Sequence, residues 1–64
     1  MELSVIIPTE HFENNINTYS EYNVVWEQYG DDEMVCDLNV SEDDYQAYMD
    51  STLTTFEILD QYAS

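Results

Sequence analysis

A chain with no Lys and no Arg must fold without ordinary ion pairs, and this one also carries 15 Asp and Glu among its 64 residues. Its formal net charge is −15. Every carboxylate repels every other, so compaction works against the field of the whole molecule, and stability has to come from apolar burial and hydrogen bonding. Salt is expected to favour the folded state. The missing cations also exclude functions. The chain cannot neutralise phosphates, form a Schiff base or clamp a carboxylate, which rules out direct binding of DNA or RNA. Its length allows one domain, residues 1–64, and a domain of about 60 residues buries only about 60% of its unfolded surface, which leaves little room for a deep substrate pocket.

High net charge is a signature of disorder. Against that stand 44% apolar residues, nine aromatics, one Gly and one Pro, with acids interleaved among apolar positions. A folded domain is expected. The single Cys36 cannot form an internal disulfide, and the opening Met1-Glu2-Leu3-Ser4 lacks the charged start of a secretory signal. A reducing, cytoplasmic setting is the expectation. The longest apolar run, Val5-Ile6-Ile7, falls far short of the roughly 20 residues that span a bilayer, so no membrane association is expected.

The periodicity switches between 2 and 3.6 over short distances, which predicts a small α+β fold with a three-stranded antiparallel sheet. Leu3, Val5 and Ile7 alternate with Glu2, Ser4 and Ile6 in a strand over 2–7 that Pro8 should end. Phe12, Ile16 and Tyr19 fall on one face of a helix over 10–20, weakened by its Asn and β-branched residues. Tyr22, Val24 and Trp26 then alternate in a strand over 22–29, as do Met34, Cys36, Leu38 and Val40 over 33–40. Partners across a hairpin share a face, so their numbers must sum to an even value, and 62 fits best. That register pairs Trp26 with Cys36 and Val24 with Leu38 and leaves Gly30, Asp31 and Asp32 as the loop.

Ser41-Glu42-Asp43-Asp44 reads as an N-cap with acids in the first helical turn. Tyr45, Met49, Thr52, Phe56, Leu59 and Ala63 follow at heptad-like spacing, which predicts one helix over 42–62 with an apolar seam that could support a homodimer. Two shorter helices are the alternative, because Ser51-Thr52-Leu53-Thr54-Thr55 is poor in helix formers and Thr54 with Glu57 resembles a second capping box.

Four constellations carry candidate chemistry. The acids come first: Asp43, Asp50 and Glu57 recur every seven residues, a stripe about 10.5 Å apart on a continuous helix, with Asp60 beside it. A solvated face normally mixes acids with bases, and solubility needs only a modest charge, so it does not account for a complete absence of bases. A globule of this length is about 28 Å across. B-DNA carries about 16 charges over that span, close to the 15 here. Metal binding is the second reading, for Asp31-Asp32-Glu33 and Glu42-Asp43-Asp44, but neither cluster has the ligand alternation of a calcium loop, and His11 and Cys36 are single residues. No metal or cofactor is expected, with His11 on a helix surface and Cys36 in the core. Catalysis by paired carboxylates would need a cleft or an oxyanion hole that nothing in the sequence announces, so an enzyme is not expected. The fourth constellation is aromatic: a core this small cannot bury all nine rings, and Tyr19, Tyr29, Tyr48 and Tyr62 are the candidates for exposure.

In its short length, extreme acidity and aromatics among acids, the chain resembles the small acidic proteins with which phages and mobile elements disarm host nucleic-acid enzymes. These include anti-restriction proteins, some anti-CRISPR proteins and uracil-DNA glycosylase inhibitors. The resemblance is one of composition and carries no residue over by position. It implies a DNA-mimic inhibitor in the host bacterial cytoplasm whose partner is a basic nucleic-acid-binding protein: a Cas effector, a restriction enzyme or a DNA-repair enzyme. The candidate partner-binding residues are Glu27, Asp31, Asp32, Glu33 and Asp37 around the hairpin, and Asp43, Asp44, Tyr48, Asp50, Glu57 and Asp60 on the final helix. An acidic adaptor or chaperone-like module for a basic host protein is the alternative. A halophilic origin would also explain acidity but fits poorly with a chain that has no bases at all.

Overall fold

The computed structural model describes residues 1–64. Strict alternation at the start of the chain gives strand β1, Glu2–Pro8, with Leu3, Val5 and Ile7 buried and the residues between them facing out. Helices α1, Thr9–Asn14, and α2, Ile16–Tyr19, follow. A short strand β2, Glu27–Tyr29, turns back into β3, Glu33–Asn39, and the chain closes with helices α3, Glu42–Met49, and α4, Thr55–Tyr62. The sheet is antiparallel in the order β1-β3-β2. One face packs on the helices and the other is open, the usual compromise for an antiparallel sheet in a small α+β domain.

The hairpin keeps the expected sum and loop, but the pairs Trp26–Cys36 and Val24–Leu38 do not form. Glu27 pairs with Val35, Gln28 with Met34 and Tyr29 with Glu33, each pair summing to 62, around a loop of Gly30, Asp31 and Asp32. Gly30 lies at φ +71°, a left-handed conformation that needs no Cβ accommodation. The ladder ends at Glu27, so the strand expected over 22–29 is only its last three residues. The upstream segment is drawn to α4 instead: the Asn23 N–H donates to the Ala63 carbonyl at 2.6 Å, and the Tyr22 hydroxyl donates to Asp60 at 2.7 Å. Tyr22, Val24 and Trp26 still pack against the core.

Pro8 belongs to β1, one residue past the expected end. The Val40 N–H donates to the Met1 carbonyl and the Thr9 N–H to the Asp32 carbonyl. Odd positions of β1 therefore bond to β3 and even positions point away from it. Pro8 falls on an outward position where no ladder donor is required, the place where a strand tolerates proline.

The helix expected over 10–20 is broken at Asn15, whose backbone sits at φ −125° and ψ 30°. Its side-chain Nδ2 donates to the His11 carbonyl at 2.9 Å, so a local side-chain bond takes the place of helical continuation. The break rephases the apolar face. Ile16, expected inside, is 44% exposed, and Tyr19, set on the same face by its spacing but named among the candidates for exposure, is fully buried. Tyr19 is the hub of an aromatic cluster, with Phe56 stacked at 5.0 Å, Phe12 at 5.7 Å and Trp26 edge-on at 5.4 Å. Its hydroxyl meets Nε2 of the exposed His11 at 2.6 Å, whereas the indole Nε1 of Trp26 is buried with no hydrogen-bond partner.

The single helix expected over 42–62 is two helices. Ser41 caps α3 by accepting from the Asp44 N–H at 3.2 Å. At the other end the Thr52 N–H donates to the Ala47 carbonyl at 2.8 Å and the Ser51 N–H to the Tyr48 carbonyl at 3.1 Å, with Ser51 at φ 63°. This is a Schellman stop with serine in the position that favours glycine. Helix α4 restarts in a capping box: the Glu57 N–H donates to Thr54 Oγ1 and the Thr54 N–H to Glu57 Oε1. The heptad-like seam is divided accordingly. Leu59 and Ala63 are buried with Leu3, Val5 and Ile58 in the core, while Met49 and Thr52 are exposed.

Candidate protein-binding surface

Side-chain parity decides which acids share a surface. On the open face of the sheet Glu2, Ser4, Ile6 and Pro8 of β1 lie beside Asn39, Asp37, Val35 and Glu33 of β3, and Glu27 and Tyr29 of β2 lie beside Val35 and Glu33. Val35 is the centre. Glu27 is directly opposite it, and Glu33 and Asp37 are its neighbours along β3, so Glu27 stands diagonally about 7–8 Å from each. Three of the five candidate hairpin acids thus surround one half-buried apolar residue, with the 38% exposed Ile6 across the strand and the 52% exposed Tyr29 next to Glu33. Asp31 and Asp32 extend the charge over the turn tip, where both are exposed. No cation offsets any of these groups, because the chain has none to offer beyond His11 and the amino terminus. Asp37 accepts from Ser4 Oγ at 2.8 Å through one oxygen.

Most of the helical candidates are tied into the fold instead. Asp44 accepts from Gln61 Nε2 at 2.8 Å and from the Tyr62 hydroxyl, a link between α3 and α4. Asp60 accepts from Tyr22, and that bond, together with burial and the carboxylate's charge, pushes the Tyr22 hydroxyl up to about 12. Glu57 is held below the ordinary carboxylate range by its hydrogen bonds from Thr54. Tyr48 is half-buried, its hydroxyl 3.3 Å from Thr55 Oγ1. Asp43 and Asp50 are exposed on and just after α3, but the break between α3 and α4 means that Asp43, Asp50 and Glu57 do not form one stripe.

Sequence reasoning missed Glu2, Ile6 and Val35 as parts of this face. Their alternation was visible, but their neighbours depend on β1 lying beside β3, a pairing over more than half the chain that no local signal announces.

Two shallow clefts mark the helical side. One of about 440 Å³ is lined by Tyr48, Ser51, Leu53, Thr54 and Thr55, and one of about 380 Å³ by Thr18, Glu21, Tyr22, Asp60 and Ser64. Cys36 is buried on the core side of β3, and burial, with the nearby Asp37 charge, pushes its thiol up to about 11, which keeps it protonated and unreactive. No three His, Cys, Asp or Glu side chains are grouped to hold a metal ion, and no helix is long and apolar enough to cross a membrane. No protein-family model, curated protein or solved structure matches the chain.

Proposed function

We propose that this chain is a phage- or mobile-element-type inhibitor that occupies the basic, nucleic-acid-binding groove of a host defence enzyme, a CRISPR effector or a restriction enzyme, in place of DNA. One observation carries the reading. A body of 29 × 23 × 18 Å bears 15 carboxylates and no Lys or Arg, and on its open sheet face Glu2, Glu27, Glu33 and Asp37 surround the apolar Ile6, Val35 and Tyr29. Such a surface suits a groove lined by Arg and Lys. Its long-range field steers encounter, and the carboxylates then accept charge-assisted hydrogen bonds from guanidinium and ammonium groups as water leaves. Tyr29 supplies a rigid anchor with a polar tip, the kind of residue enriched at interface centres. No bond is made or broken, so inhibition is stoichiometric and reversible.

The test is affinity recovery from a bacterial lysate containing active CRISPR and restriction systems, at moderate salt, with the recovered partner challenged by duplex DNA. Recovery of one nucleic-acid enzyme that DNA displaces is the expected result. Weak retention of many basic proteins, all lost together as salt rises, would sink the inhibitor reading. With the target in hand, Glu27→Gln, Glu33→Gln and Asp37→Asn combined should weaken inhibition far more than the same number of neutral substitutions at Asp43, Asp50 and Glu13.

A further inference from the structure

Strand β1 is an edge. Only β3 pairs with it, and because its odd positions bond to β3, the N–H groups of Glu2, Ser4 and Ile6 point away from the sheet with no strand to receive them. Natural sheets usually guard such edges with charge, proline or a bulge. Here Glu2 and Pro8 stand only at the two ends, and the five residues from Leu3 to Ile7 between them carry no charge. The edge is therefore open along its middle.

We propose that this edge accepts an extended basic segment of the partner protein as an added strand, one in which Arg or Lys alternates with apolar residues. The proposal rests on the basic-partner reading above and adds the mode of attachment. The alternation follows from the two faces that a fourth strand would meet. Side chains on its inner face would lie beside Leu3, Val5 and Ile7, at the margin of the core. Those on its outer face would lie beside Glu2, Ser4 and Ile6, with β3 two strand spacings away, about 9–10 Å. An Arg crossing the small Ser4 reaches Asp37 over that distance, so the acids of the open face select a basic outer row. Main-chain hydrogen bonds give such a contact its affinity, and the alternate side chains give its preference. A second copy of this chain is the poorer occupant, because it would bring −15 against −15 at the contact.

The probe is a peptide as long as β1, seven residues, alternating Arg and Val, added to the isotopically labelled full chain at moderate salt. A control peptide of the same charge carries a methyl group on alternate backbone nitrogens and cannot form a ladder. Amide exchange at Ser4 and Ile6 is expected to slow by about tenfold or more with the first peptide, and methylation to weaken binding by at least about tenfold, roughly 1.4 kcal/mol. Equal binding of both peptides, with shifts centred on Glu27, Glu33 and Asp37, would overturn strand addition while leaving the basic-partner reading in place. Absence of binding by either would overturn both. Protection of Ser4 and Ile6 without peptide, rising with protein concentration alongside a dimer in sedimentation, would make a second copy the occupant and overturn the proposal.

Discussion

Two residues set against their local surroundings lend themselves to direct measurement. Ser51 holds a left-handed conformation at a helix stop where glycine is the usual occupant, a cost of about 1 kcal/mol for a residue with a Cβ. Ser51→Gly should raise stability by about 0.5–1 kcal/mol, less what glycine gives back in unfolded-state entropy, as read from the denaturation midpoint. Tyr22 has its hydroxyl raised to about 12 by Asp60, against an ordinary value of 10.0. A group whose folded value is raised contributes stability in full below its unfolded value and loses it as pH climbs through the folded one. The stability of the native chain relative to Tyr22→Phe should therefore hold constant up to about pH 10 and fall away toward about pH 12, with one late tyrosinate step in the absorbance titration that the variant lacks. A gap that stays flat through this range would remove the Tyr22–Asp60 bond from the folded state.

At the scale of elements, the restart of α4 depends on its capping box. Thr54→Ala should cost about 1 kcal/mol and Thr54→Ser much less, with faster amide exchange confined to the first turn of α4. The elements also show what a sequence discloses. The hairpin register was legible because period-2 patterns on two adjacent segments leave few even sums, and Trp26 and Cys36 disfavour the rest. The restart at Thr54 and Glu57 was legible as well, since a capping box is a local pattern. The stop before it was legible only as a stretch poor in helix formers over 51–55, set against a heptad-like spacing from Tyr45 to Ala63 that argued for continuity, and the left-handed backbone of Ser51 was not legible at all. Asn15 misled in a similar way: its side-chain bond to His11 depends on geometry, and a shift of phase at that one residue separated Ile16 from Tyr19, which the spacing had put on one face. The open face was half legible, its hairpin acids from parity within one hairpin and its β1 residues only from the strand order.

For the molecule as a whole, the balance is between a ten-residue buried core and the mutual repulsion of 15 carboxylates. A chain of this length has on the order of 3–10 kcal/mol of stability in total, so repulsion worth a few kcal/mol is a large share. Raising salt from about 10 mM to about 1 M shrinks the screening length from about 30 Å to about 3 Å, well under the 29 Å body. The melting temperature should climb steeply over that range, and a flat response would mean that the charges lie too far apart to matter. The strand order sharpens this into a statement about time. Leu3 meets Leu38 across more than half the chain, so the central β1–β3 pairing closes a long loop before it gains its contacts. That closure gathers like charges from both halves of the chain. The barrier to folding is thus partly electrostatic: in stopped-flow measurements added salt should accelerate refolding markedly while leaving the unfolding rate almost unchanged, because the charges are already gathered at the summit.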